Sequence, residues 1–126
     1  MNAAEVIADL LARGHSVRFR ARGHSMHPII RNDDYLLVAP STRCECGDVV
    51  LTLSSRGLTA HRVVRLEDGV VITRGDNAPG DDEVGKVLGV VTHVEREGRM
   101  VRVRRWPRMA LPVVRLMRRV VSRLSA

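Results

Sequence analysis

Ser25 stands in the part of the sequence that is best suited to nucleophilic chemistry. It belongs to the run Gly-His-Ser-Met-His-Pro over residues 23–28, which is followed by a polar turn and then by an apolar segment. Glycine before the serine permits a tight turn, and proline after it restricts the backbone. Such a stiff bend can hold a hydroxyl outward, as a nucleophile requires. The same residue types are also typical of an ordinary polar turn, so this run alone leaves both interpretations open.

His61 is a candidate for the base that a serine nucleophile needs. Imidazole titrates near neutral pH, and its second nitrogen then requires an acceptor that orients the ring. Asp76 or Asp82 can supply that carboxylate, and Asp81 leaves open a shift of one residue from Asp82. The alternative interpretation is that His61 faces solvent on a strand and that the aspartates stabilise turns through their own backbone.

The other reactive residues are a single lysine, two cysteines and the two histidines beside Ser25. The chain contains a single lysine, Lys86, at a place where a strand is expected, so a desolvated lysine base is not predicted. Cys44 and Cys46 are too close in sequence for an unstrained disulfide and lack the spacing of structural zinc sites. We therefore expect two reduced thiols in a loop, with His24 and His27 at the rim of the cleft. No metal and no cofactor is predicted.

The segments around these residues predict a mostly β domain. The chain has 126 residues, the size of one domain, and its core must come from abundant valine together with Leu, Ile and Met. An amphipathic helix is expected over residues 2–13, with Asn2 as its N-cap. Short apolar segments bounded by turns predict strands at 17–22, 35–39, 48–53, 58–66, 70–74, 84–95 and 100–104.

Two regions are distinguished by their charge and hydrophobicity. Residues 1–105 are expected to form the domain, and residues 106–126 a basic amphipathic helix. Such a helix can lie on an anionic membrane surface, pack on the domain or pair with another copy. The net charge of +7 would attract anionic lipid, nucleic acid or an acidic peptide. Nucleic acid is disfavoured as a partner because aromatic stacking residues are nearly absent. The oligomeric state is not predicted.

Six sequence blocks, in this order and spacing, resemble the type I signal peptidase superfamily, which includes signal peptidases and the self-cleaving SOS-type repressors. The resemblance covers roughly residues 16–95. Histidine in place of lysine at the base position is similar to the archaeal and endoplasmic-reticulum signal peptidase branch. The blocks are Gly-x-Ser-Met-x-Pro at 23–28, Gly-Asp-Val-Val at 47–50, His-Arg-Val-Val at 61–64, Thr-Arg-Gly-Asp-Asn at 73–77, Asp-Asp at 81–82 and Gly-Lys-Val-Leu-Gly-Val-Val at 85–91.

This resemblance implies a fold, a site and an activity. The fold would be a signal-peptidase-like β-fold of coiled antiparallel sheets or a partial barrel. Ser25 would be the nucleophile, His61 the general base and Asp82 the third member of a Ser-His-Asp site, with Asp76 as a second acidic residue. The activity would be that of a serine endopeptidase, of the kind used in signal peptide processing, with small side chains near the cut.

The chain also departs from the membrane-anchored signal peptidases. It has neither a basic, signal-peptide-like start nor an apolar run of about 20 residues. We therefore expect a cytoplasmic protein, or one bound peripherally to a membrane, that cleaves a separate peptide or protein bound in extended form. The alternative is a catalytically inactive binding module that acts through its cleft or its basic C-terminal helix.

Overall fold

An antiparallel sheet carries the site. The computed structural model describes residues 1–54, 57–84 and 86–105. The described elements are, in chain order, helix α1 (Ala3–Ala12) and strands β1 (Val17–Arg20), β2 (Tyr35–Pro40), β3 (Val49–Ser54), β4 (Gly57–Glu67), β5 (Val70–Arg74), β6 (Asp82–Val84), β7 (Val87–Arg96) and β8 (Arg99–Arg102).

The eight strands lie in the spatial order β1-β2-β7-β3-β4-β5-β6, and β8 pairs with β7. All of these pairings are antiparallel. Among the described strands, β1 and β6 end the sheet without pairing to each other, so the sheet stays open. The predicted mostly β fold with a short N-terminal helix is confirmed.

Helix α1 begins where its capping residue predicts. The Asn2 side chain accepts a hydrogen bond of 2.8 Å from the backbone N–H of Glu5, which satisfies one of the free donors of the first turn. Leu11 is buried among the apolar side chains of the sheet. The helix ends before Gly14, whose φ of +88° suits the reversal that follows.

One predicted strand is divided in two. The segment 84–95, expected as a single strand, contributes Val84 to β6 and most of its length to β7. The physical reason is pairing: β6 extends the outer edge beside β5, whereas β7 crosses to the middle of the sheet between β2 and β3. As a result Asp82, expected within a loop, is the first residue of β6 and lies opposite Thr73.

The core lies beneath the serine bend. Strand β3 is buried from Val49 to Thr52, as expected for a central strand covered on both faces. Leu36, Val38 and Leu51 form one buried cluster together with Met26, which follows Ser25 in sequence. The bend that carries Ser25 is therefore anchored directly in the core.

Asp34 fixes the turn that leads from the serine bend into β2. Its side chain is buried, and Arg96 donates to both carboxylate oxygens, at 2.9 and 2.6 Å. The backbone N–H of Arg31 donates a third hydrogen bond, of 2.7 Å. Burial by itself raises the pKa of Asp34, but the bonds and charge of Arg96 and the Arg31 N–H outweigh it, so the pKa lies below its ordinary value.

Within the described part of the chain, no helix has the length and hydrophobicity needed to cross a lipid bilayer. The basic helix predicted over residues 106–126 lies outside the described residues, so the domain boundary at residue 105 stays a prediction.

Candidate active site

Ser25 lies on an exposed bend between β1 and β2. Gly23 has a φ of +92°, which favours glycine, and its N–H donates a 2.8 Å hydrogen bond to Oδ1 of Asn32. Met26 points inward with only 3% of its surface exposed. The bend thus combines an exposed hydroxyl, as a nucleophile requires, with a buried neighbour.

The structure brings Ser25, His61 and Asp82 into one hydrogen-bonded chain. Ser25 Oγ lies 3.1 Å from Nε2 of His61, and Nδ1 of His61 lies 2.6 Å from Oδ2 of Asp82. The His61 side chain is 13% exposed and that of Asp82 51%, so the imidazole is shielded while the carboxylate faces solvent. The tautomer that suits both contacts has its proton on Nδ1, donated to Asp82, and leaves Nε2 free to accept from Ser25.

The alternatives among the three aspartates are decided by their partners. Asp82 contacts the imidazole, whereas the Asp76 carboxylate accepts hydrogen bonds of 3.2 and 2.8 Å from Arg62. Asp81 accepts from Arg74. Of the two carboxylates proposed to orient the imidazole, Asp82 therefore occupies that position. Asp76 is buried and pairs with Arg62 instead of contacting the imidazole. It is therefore a candidate positioning residue.

Arg62 is a site residue that the sequence interpretation missed. Its side chain is 1% exposed, and besides Asp76 it donates to the carbonyls of Gly47, at 2.9 Å, and Arg104, at 3.1 Å. Successive strand residues face opposite sides of a sheet, so His61 on one face places Arg62 on the other. A signal was present, since an arginine within a valine-rich central segment requires a buried carboxylate.

Gly75 and Asn77 hold the serine bend against the end of β5. The N–H of Asn77 donates 2.7 Å to the carbonyl of Ser25, and its side-chain amide donates 2.9 Å to the carbonyl of His24. At Gly75 a Cβ atom would lie 2.5 Å from the Ser25 carbonyl oxygen and 3.1 Å from Nε2 of His61. The Gly-Asp-Asn block is one of the six that resemble the signal peptidase superfamily, but the sequence did not predict this close approach to Ser25.

A cavity of about 250 Å³ adjoins Ser25 and His61. Phe19 and Ala21, in and just after β1, line one side, and residues 58–60 of β4 line the other. Three strands separate β1 from β4 in the sheet order, so the sheet must curl to bring them together. The remaining apolar walls are Met26, Ile30, Leu36 and Leu51. Such a cavity suits an apolar side chain next to a reactive hydroxyl.

The other reactive side chains are not part of this hydrogen-bonded chain. His24 and Lys86 are exposed, and Cys44 and Cys46 are free thiols beside a separate apolar cluster. Burial, followed by the charges of Asp48 and Cys46, raises the pKa of Cys44 and disfavours its thiolate. In residues 1–54, 57–84 and 86–105, no group of three or more His, Cys, Asp or Glu side chains is placed to hold a metal ion.

Comparison with known proteins gives a family. No curated protein and no solved structure matches the chain significantly. The model of the family described as Peptidase S24-like matches residues 3–101, which include the serine bend, β4 and β6. This agrees with the serine-peptidase superfamily predicted from the sequence blocks, while the narrower histidine-type branch stays a prediction. The chain therefore belongs to the Peptidase S24-like family.

Proposed function

We propose that the protein is a serine endopeptidase in which Ser25 is the nucleophile, His61 the general base and Asp82 the residue that orients the imidazole. The observation that carries this proposal is the continuous contact from Ser25 Oγ through both nitrogens of His61 to Asp82, at 3.1 and 2.6 Å. Both distances lie within the hydrogen-bonding range that proton transfer requires. Family membership supports the same class of reaction.

The reaction begins when Ser25 Oγ attacks the substrate carbonyl carbon and Nε2 of His61 takes the hydroxyl proton. Asp82 stabilises the resulting imidazolium without itself becoming protonated. The tetrahedral intermediate collapses as Nε2 returns that proton to the departing amine, which leaves an acyl ester on Ser25. A water molecule then attacks the ester carbonyl while Nε2 of His61 accepts its proton. The C–Oγ bond breaks as that proton passes to Ser25 Oγ, which releases the carboxylic acid product and restores the hydroxyl.

The backbone N–H of Ser25 is a candidate donor to the oxyanion. Within the described part of the chain this N–H makes no hydrogen bond, whereas the carbonyl of Ser25 is held by the N–H of Asn77. A preorganised N–H at this point contributes most where negative charge develops in the transition state. The bend therefore supplies both the nucleophile and one stabilising dipole.

The substrate would bind as an extended strand beside the cavity. β1 pairs with β2 on one side only, and residues 57–60 of β4 pair only with β3 among the described strands. Both open edges flank the cavity, so an extended peptide can add main-chain hydrogen bonds there. The histidine base supports the finer assignment to the histidine-type signal peptidase branch, with processing of a leader-like or signal-like segment of a separate chain.

A serine-reactive acylating probe, such as a fluorophosphonate, tests this proposal. We expect labelling of the wild-type protein at Ser25, located by mass spectrometry. Ser25→Ala should abolish it, and His61→Ala should slow it strongly. Ser16→Ala is the matched control, because this exposed serine lies outside the site, and it should label like the wild type. Equal labelling of folded Ser25→Ala, or no labelling of the wild type, would refute the peptidase assignment and favour a binding module.

A further inference from the structure

The outer face of β1 carries two arginines beside the candidate substrate cleft. Phe19 faces the cavity, whereas Arg18 and Arg20 alternate with it and are exposed on the opposite face. Arg20 lies opposite Tyr35 of β2 in the sheet register. The backbone of both residues therefore lies at the open edge where an added strand would pair, and both guanidinium groups lie over the ring of Tyr35, 3.9 and 5.2 Å from its centre.

Arg18 and Arg20 differ in whether a carboxylate neutralises their charge. Arg18 forms a 2.8 Å ion pair with Glu95, and its guanidinium lies 3.9 Å from the centre of the Tyr35 ring. Arg20 donates a 3.0 Å hydrogen bond to the hydroxyl of Tyr35, which orients it but supplies no negative charge. Among the residues that the structure describes, no carboxylate pairs with Arg20. This side chain is thus an exposed, oriented cation that no described carboxylate neutralises.

A strand added to β1 would present alternate side chains to the two faces of the sheet. Side chains on one face would enter the cavity beside Phe19, and those on the other would approach Arg20. Directly opposed residues in neighbouring strands have Cβ atoms about 4.5–5.5 Å apart. An Asp or Glu carboxylate on such a strand can pair with Arg20 once this exposed side chain turns from Tyr35 towards the edge, and the planar pair of guanidinium donors matches a carboxylate.

We propose that Arg20 is a specificity-determining residue that selects substrates with an Asp or Glu side chain at one position near the cleavage site. This inference rests on the proposed peptidase function and deepens it by naming a substrate class. Because the two faces alternate, the acidic residue must be one or three residues along the substrate from the residue that fills the cavity, which is an odd difference in position. The net charge of +7 favours the same acidic substrates over a longer range.

The test is a cleavage profile on a peptide library prepared from a proteome by cleavage at lysine, so that internal acidic residues are retained. Wild type, Arg20→Gln and Arg43→Gln would be compared, with Ser25→Ala as the blank. Arg43 is the matched control because it removes the same charge from an exposed loop that lines a different cavity. Mass spectrometry would give the residue frequencies on both sides of each Ser25-dependent cut.

For the wild type we expect Asp plus Glu to be enriched about threefold at one position, the size expected of an exposed ion pair. The enrichment should disappear in Arg20→Gln, persist in Arg43→Gln and weaken at high salt. Peptides without acidic residues should be cut equally by all three proteins. Cleavage without acidic enrichment, enrichment retained in Arg20→Gln, or an even separation from the cavity position would overturn the inference while leaving the peptidase function intact. No Ser25-dependent cleavage would overturn both.

Discussion

Replacing Gly75 by alanine should misplace the candidate nucleophile without adding any polar group. The new Cβ would lie 2.5 Å from the carbonyl oxygen of Ser25, and ordinary contact begins at 3.4 Å. The two backbones must therefore separate by about 0.9 Å. Neither atom belongs to a flexible side chain, and the N–H of Asn77 holds the same carbonyl at 2.7 Å. The strain cannot be relieved by a simple rotamer change.

Such a displacement acts on the contact between Ser25 and His61, which is only 3.1 Å long. A misplacement of about 1 Å at a reacting group can cost about 100-fold in rate. We therefore expect the second-order rate of probe labelling at Ser25 to fall by about 100-fold in Gly75→Ala. Overpacking should also lower the free energy of unfolding by about 1–3 kcal/mol, which leaves most small domains folded.

Gly80→Ala is the matched control for this experiment. Gly80 lies in the same loop, yet a Cβ atom there would meet nothing within 4 Å, and its φ is not in the left-handed region. Its labelling rate should equal that of the wild type. A Gly75→Ala protein that is labelled at the wild-type rate would show that the close approach to Ser25 has no catalytic consequence. An equal loss in both variants would show that loop flexibility, and not contact with Ser25, controls the rate.

Two further predictions concern groups that support the site. Asp76→Asn should lower the free energy of unfolding in urea by about 3–5 kcal/mol, because it weakens the neutralisation of the buried Arg62 guanidinium. The double variant Arg62→Met with Asp76→Leu should be less destabilised than the sum of its two single variants, and strictly additive losses would contradict a coupled pair. Asp34→Asn should cost about 2 kcal/mol at neutral pH, through the loss of hydrogen bonds to a charged group. Because the pKa of Asp34 is lower in the folded state, this contribution is complete above the ordinary value of 3.8 and disappears as pH falls through the folded pKa. The free energies of unfolding of the wild type and Asp34→Asn, measured from pH 7 to pH 2, should therefore converge at the acidic end. A constant difference would contradict the assignment.

The sequence was sufficient for the class of fold, for the serine-peptidase superfamily and for three of the residues that meet at the site. Strand alternation, valine content and turn residues are local properties of the sequence. Asp68 and Gly69, for example, have φ values of +48° and +77° in the β4–β5 hairpin, where residues of these types are preferred. Family resemblance supplied Ser25, His61 and Asp82, and the structure places these three in contact. Their catalytic roles remain the proposal that labelling will test.

Other features depended on tertiary structure. Which carboxylate reaches the imidazole follows from strand register. Val63 pairs with Thr73, and Thr73 with Asp82, so the Asp82 side chain reaches His61 across β5 only after β4, β5 and β6 have paired. The same pairing turns Asp76 towards Arg62, a contact that no spacing along the chain indicates. These arrangements join segments that are distant in sequence, and local preferences do not encode the register that brings them together.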